Sequence, residues 1–84
     1  MAEERLHPSD QLLLRMHNLG VVSEKASRTA QELSRLAQIP SDQISDLLRR
    51  HEDSGYLGSL PDPEGRPRYF LTGKGIIRVC SVFT

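Results

Sequence analysis

One cysteine, no tryptophan, two tyrosines and two phenylalanines occur in a chain of 84 residues. The single thiol, Cys80, has no internal partner, so the chain is not a disulfide-stapled secreted scaffold and suits a reducing compartment. It sits in the apolar run Ile76-Ile77-Arg78-Val79-Cys80 and is expected to be a small buried hydrophobe. No apolar run approaches the ~20 residues that cross a bilayer. The opening Met1-Ala2-Glu3-Glu4-Arg5 is acidic and lacks the apolar stretch of a secretory signal. A cytoplasmic protein with no membrane partner is the expectation. Net charge is lacking as well, with eleven basic residues cancelled by eleven acidic ones. That excludes a strong uniform field and leaves any electrostatic polarity to the placement of charges along the chain.

Catalytic and metal signatures are missing too. His7, His17 and His51 are far apart, and no Cys-x-x-Cys or His-x-x-x-His pair occurs, so no metal site is expected. Gly73-Lys74-Gly75 lacks the rest of a phosphate-binding loop. No nucleophile can be matched with a base. These features point away from an enzyme and from any cofactor.

What is present is a single domain's worth of patterned sequence. A chain this short buries only about 60–65% of its unfolded surface, enough for one core. Residues 1–8 are charged, end at Pro8 and form an expected N-terminal tail, with a domain over 9–84. Ser9 or Asp10 can cap a helix over 10–19, in which Leu12, Leu13, Met16 and Leu19 recur at helical spacing and Gly20 stops the run. A polar connection follows over 20–28, with a very short strand at its end. Thr29-Ala30-Gln31-Glu32 is a capping box. It opens a helix over 30–37 with a stripe of Ala30, Leu33, Leu36 and Ala37. Ile39-Pro40 breaks it, because the residue before proline is pushed out of the α region.

Ser41 or Asp42 is expected to cap a third helix, over 41–53, with Ile44, Leu47, Leu48 and His51 on its buried side. His51 on that stripe is expected to be a satisfied core histidine. Ser54-Gly55 ends the helix. Residues 56–60 and 68–72 alternate like strands around a turn at 61–67, Pro-Asp-Pro-Glu-Gly-Arg-Pro, and make a hairpin. Alternation puts Tyr69 and Leu71 on one face and Phe70 on the other. The last segment pulls two ways. Thr72 can cap a helix carrying Ile76, Val79, Cys80 and Phe83, while its β-branched residues favour a strand. The helix is the preferred expectation.

Helices two and three are joined by about three residues, and so short a link forces a large crossing angle, the helix-turn-helix arrangement. The second helix of such a pair turns its polar side outward and can enter a major groove about 12 Å wide. At this point the chain resembles the prokaryotic winged helix-turn-helix regulators of the MarR and ArsR type. Glu32-Leu33-Ser34-Arg35-Leu36-Ala37-Gln38-Ile39-Pro40 looks like their first motif helix and turn. Residues 44–57 look like the recognition helix running into the wing. Tyr69-Phe70-Leu71-Thr72-Gly73-Lys74-Gly75 resembles the Leu-Thr-x-x-Gly signature that closes the wing. The implied fold is mostly α: a three-helix bundle with a small β-hairpin wing and a short C-terminal helix.

The resemblance also implies roles. Ser41, Gln43, Ser45 and Arg49 would lie outward on the recognition helix. Arg49 and Arg50 would meet phosphates or a guanine edge, and Gln43 an adenine. Arg66 and Arg68 would sit on the wing at 60–68, against the backbone or minor groove. Gln31 and Arg35 on helix two would contact phosphates, helped by helix N-termini. The implied partner is double-stranded DNA, bound as a two-fold dimer held by the C-terminal segment with Ile76, Val79 and Phe83. No residue pattern specifies a small-molecule effector. Three positions depart from the family pattern: Asp46 on the outward side, Gln38 where glycine is common, and His51 in place of a core leucine. Neutral charge, Asp42 and Asp46 suit an alternative role, a protein–protein interaction module within a larger complex.

Overall fold

The computed structural model describes residues 7–83, without the Phe83 side chain. The order is α1 (Pro8–Asn18), β1 (Arg28–Thr29), α2 (Ala30–Ala37), α3 (Ser41–Asp53), β2 (Leu57–Pro61), β3 (Pro67–Leu71) and α4 (Gly73–Phe83). The start of α1 differs from expectation. Pro8 belongs to the helix, and His7 caps it, its Nδ1 accepting from the Ser9 backbone N–H at 3.2 Å. Proline at the first helical position has its φ preset and lacks only an N–H that would be orphaned anyway. The helix therefore begins two residues before 10.

Three helices end the same way. At the close of α1 the N–H of Val21 reaches Met16 and that of Gly20 reaches His17; at α2 Ile39 reaches Ser34; at α3 Tyr56 reaches His51 and Gly55 reaches Glu52. This is the Schellman pattern, which needs one left-handed residue past the helix. Gly20 and Gly55 supply it with φ of 75° and 82°, and Gln38 supplies it at φ 57°. Gln38 thus takes up the glycine conformation without being glycine. The α2 N-terminus carries the capping box as read: Thr29 Oγ1 accepts from Glu32 N–H at 3.2 Å and Glu32 Oε1 accepts from Thr29 N–H at 3.0 Å. Ser41 and Asp42 do not cap α3. The cap is Pro40, whose extended backbone aims its carbonyl at the N–H groups of Gln43 and Ile44, 3.0 and 2.9 Å away.

The core closes where α1, α2 and α3 meet over the sheet. Leu12, Leu13, Met16, Leu33, Ile44, Leu48 and Leu71 are almost wholly buried. His51 joins them as expected, its Nε2–H donating to the Ser9 carbonyl at 2.9 Å. Burial pushes the imidazole pKa down; the Ser9 bond and Asp10 oppose this, while Arg78 and His7 add to it. Leu19 and Leu36 leave the stripes assigned to them and are 48% and 42% exposed. Leu19 is the C-cap of α1, already turned away. In α2 the buried line runs through Ala30, Leu33 and Ala37, and Leu36 lies roughly 90° round from it.

The strands form one antiparallel sheet in the order β1-β3-β2. Leu57 pairs with Leu71, Gly58 with Phe70 and Leu60 with Arg68, while Arg28 pairs with Tyr69. At Gly58 the Phe70 ring lies across the backbone: a Cβ there would lie 2.5 Å from its Cζ, so any side chain would have to displace the ring. The final segment is helical. Thr72 Oγ1 accepts from the Gly75 N–H at 3.1 Å and donates to the Gly55 carbonyl at 2.6 Å, so one hydroxyl starts α4 and ties it to the end of α3. Gly75 lets that joint close, since a Cβ would lie 2.2 Å from the Tyr56 carbonyl oxygen. The inward line of α4 is Gly75, Val79 and Val82, so Cys80, roughly 130° away, is exposed rather than buried.

Candidate nucleic-acid interface

The residues of α3 sort cleanly into two sides. Ile44, Leu47, Leu48 and His51 face the core. Ser41, Gln43, Ser45, Arg49 and Arg50 are all exposed, as the sequence predicts. The centre of the exposed side is more acidic than basic. At roughly 100° per residue, Asp42, Asp46, Arg49 and Asp53 lie directly opposite the core stripe. Ser45 and Glu52 flank them on one edge, and Gln43 and Arg50 on the other. Asp46 Oδ1 accepts from Arg49 Nη2 at 2.9 Å and its Oδ2 from Arg50 Nε at 3.1 Å. The guanidinium side chains stay 74% and 68% exposed.

On α2, Gln31 and Arg35 are exposed one turn apart. Arg35, Arg28, Glu32, Leu36, Leu19 and Val21 line an open cleft of about 400 Å³. Glu32 is held below the ordinary carboxylate pKa, chiefly by the Thr29 N–H. Burial opposes this; the Thr29 hydroxyl and the charges of Arg68 and Arg28 add to it.

The hairpin tip is built on Asp62. Its Oδ1 accepts from the N–H groups of Glu64 and Arg66 at 2.9 and 2.8 Å, and Oδ2 from Arg66 Nε at 3.1 Å. Burial alone would raise the Asp62 pKa, but these donors together outweigh it and hold the group low. Gly65 completes the tip at φ 86°. Arg66 also meets Glu64 at 3.3 Å and remains 56% exposed. Arg68 departs from expectation. It lies on β3, half-buried, with Nε donating to Ser27 Oγ at 3.1 Å and Nη2 to the Ser27 carbonyl. Its charge is turned inward, fastening the hairpin to the segment before α2. Thus the fold sets Ser41, Gln43, Ser45, Arg49 and Arg50 on one face of one helix, with Arg66 on the hairpin that follows it. Gln31 and Arg35 are on the neighbouring helix, and Arg68 on β3 is tied to Ser27 just before that helix.

Some contributors escaped the sequence-based expectation. Ser27 is 41 positions from Arg68, and no local signal links them. Glu52 accepts from the Ser59 hydroxyl, joining α3 to β2. Burial, with Glu52 nearby, raises the Tyr69 pKa. The Asp46 pairs were legible, since an aspartate three and four residues before arginines is a standard helix pairing. Val79 and Ile76, assigned to a dimer face, are turned inward: Val79 is 4% exposed and Ile76 packs against the core. Ile77 is an outward large apolar residue of α4, 68% exposed, and the Phe83 side chain lies outside the described residues.

No protein-family model and no curated protein matches the sequence. Solved structures do. A protein of Ralstonia eutropha JMP134, to which DNA binding is provisionally ascribed, superposes with a TM-score of 0.75 at 19% identity, over 94% of this chain and 99% of its own. MepR of S. aureus in complex with DNA gives 0.68 at 22% identity, over 98% of this chain and 72% of its own. A point mutant of MepR gives 0.69 at 18% identity, over 96% of this chain and 58% of its own. The chain has the winged helix-turn-helix fold.

In this winged helix α2 and α3 are the motif pair, Gln38–Pro40 is the turn, and β2–β3 is the wing. Among the described residues no cluster of three or more His, Cys, Asp or Glu side chains is placed to hold a metal ion. No helix among them is long and apolar enough to cross a membrane.

Proposed function

We propose that this winged helix binds double-stranded DNA sequence-specifically and acts as a transcriptional regulator in the cytoplasm, associated with the nucleoid. The observation that carries the proposal is the uncovered polar side of α3 beside the wing, with Arg49 and Arg50 on the helix and Arg66 at the hairpin tip. MepR, similar over nearly the whole of this chain, has been crystallised with DNA, which supports the same use of the fold. Helix α3 would enter the major groove, where Gln43 and Arg49 can read base edges. Arg50, Gln31 and Arg35 would take phosphates, with Ser41 and Ser45 donating hydroxyls. Arg66 would brace the backbone or minor groove. Two copies joined through the C-terminal segment would match a palindromic site. Ile77, exposed on α4, would serve that contact.

A fluorescence-anisotropy titration of duplex genomic fragments over a salt series tests the proposal. Its expected result is an affinity that falls with salt, at a slope of about 0.9 per phosphate engaged. Replacing Arg49 and Arg50 together by alanine should weaken binding about tenfold or more. Unchanged affinity would remove these arginines from the interface. One observation favours a second use of the fold, docking on a protein within a larger complex: Asp42, Asp46 and Asp53 crowd the exposed centre of α3. Absence of any salt-dependent DNA binding would select that role.

A further inference from the structure

We propose that Asp46 sets the specificity of α3 by keeping Arg49 and Arg50 from binding phosphates indiscriminately; this rests on the DNA-binding function proposed above. Both carboxylate oxygens are engaged, one with each arginine, at 2.9 and 3.1 Å. The carboxylate lies near the middle of the exposed arc, with its side chain 40% exposed. A phosphate approaching either guanidinium meets this carboxylate beside it and is repelled by it, although each arginine keeps further N–H donors exposed. Indiscriminate backbone binding, which supplies nearly all non-specific affinity, is thereby held down.

A base edge meets a different surface. Arginine donates to guanine O6 and N7, and a carboxylate accepts from the cytosine N4 amine. Held together, Asp46 and Arg49 present an acceptor beside a donor fork, complementary to neighbouring positions that offer an amine and a guanine edge. The pair that obstructs phosphates therefore fits a base sequence. Asp53 is the control. It lies on the same arc, yet the structure gives it no arginine partner among the described residues, so its charge acts without a clamp.

The experiment uses the full chain. Duplexes selected by the wild type from a randomised library are compared with a random-sequence duplex by anisotropy over a salt series, for wild type, D46N and D53N. D46N should bind the random duplex about threefold more tightly, the effect expected on freeing two exposed same-helix pairs. Its log–log salt slope should steepen by about 1 as one more phosphate is engaged. Its preference for the selected duplex should fall, while D53N moves each quantity less. D46S, equally mild at an exposed position, repeats the test should D46N melt early. D46N behaving as wild type, or D53N matching D46N, overturns the inference and leaves DNA binding standing. A wild type that binds neither duplex overturns both.

Discussion

At the scale of single residues, His51 and Gln38 make the sharpest demands. The ring of His51 is neutral in the core, with its pKa below the ordinary 6.5, so the folded state resists a proton that the unfolded state accepts. The sign follows from linkage: this contribution to stability is complete above pH 6.5 and is lost as pH falls through the depressed folded value. Chemical denaturation between pH 7.5 and 5.5 should show the wild type losing more stability than His51→Gln, which can keep a donor but does not titrate. Parallel curves would mean the ring is not desolvated. Gln38 adopts φ 57°, where a side chain costs about 1 kcal/mol. Gln38→Gly should raise the unfolding free energy by roughly 0.5–1 kcal/mol, provided the Schellman bonds persist. A drop in stability would show that the glutamine makes a contact worth more than its strain. Both positions stood out in the sequence, His51 by its place on an apolar stripe and Gln38 by occupying a glycine position. What the ring of His51 bonds to was not legible, because Ser9 lies 42 positions away.

At the scale of elements, the apolar periodicity located the helices well and their edges less well. Leu48 is fully buried between α3 and the rest of the core, whereas Leu36 lies at the margin of α2. Leu48→Ala should cost about 2–5 kcal/mol, and Leu36→Ala less than about 1 kcal/mol. Thermal melts of the two variants would check the helix phases directly, and equal losses would place Leu36 in the core. The wing is an element by virtue of a latch. Arg68 binds both the hydroxyl and the carbonyl of Ser27, so Arg68→Met should loosen the hairpin by roughly 1–3 kcal/mol. Hydrogen exchange should quicken on β1 and β3 in that variant before it does on α1. Unchanged exchange would mean the hairpin is held by packing alone. The capping box at Thr29 was readable because its partners are three residues apart; the Ser27 latch was not, because its partner arrives from another strand.

At the scale of the whole molecule, neutrality is not uniformity. Helix α3 carries four acidic residues against two arginines. Cations are set around it on α2 and the wing tip. DNA binding by such a surface should be more sensitive to salt and to single charge changes than to the total charge. Assembly belongs at this scale too. If two copies meet through α4, Ile77→Asp should lower the sedimentation-equilibrium mass toward that of one chain and weaken binding to a palindromic duplex without lowering the melting temperature of the monomer. A wild type that sediments as a single chain at tens of micromolar would discard that contact. The neutral variant Val79→Ala is no substitute, since Val79 is packed inside and its loss reports on folding.

The chain by itself determined what depends on near neighbours: stripe spacing, the capping box, the proline break, the turn residues of the hairpin, and hence the order of helices and strands that marks the winged helix. Only the tertiary structure decided which stripe-edge residues are covered, that Val79 turns in while Cys80 and Ile77 turn out, and that Arg68 ties the wing to Ser27. The physical reason is range. Helical and turn preferences act over three or four residues and are written locally. Burial and long-range hydrogen bonds depend on which segments the fold brings together, and that is settled only when the whole core closes.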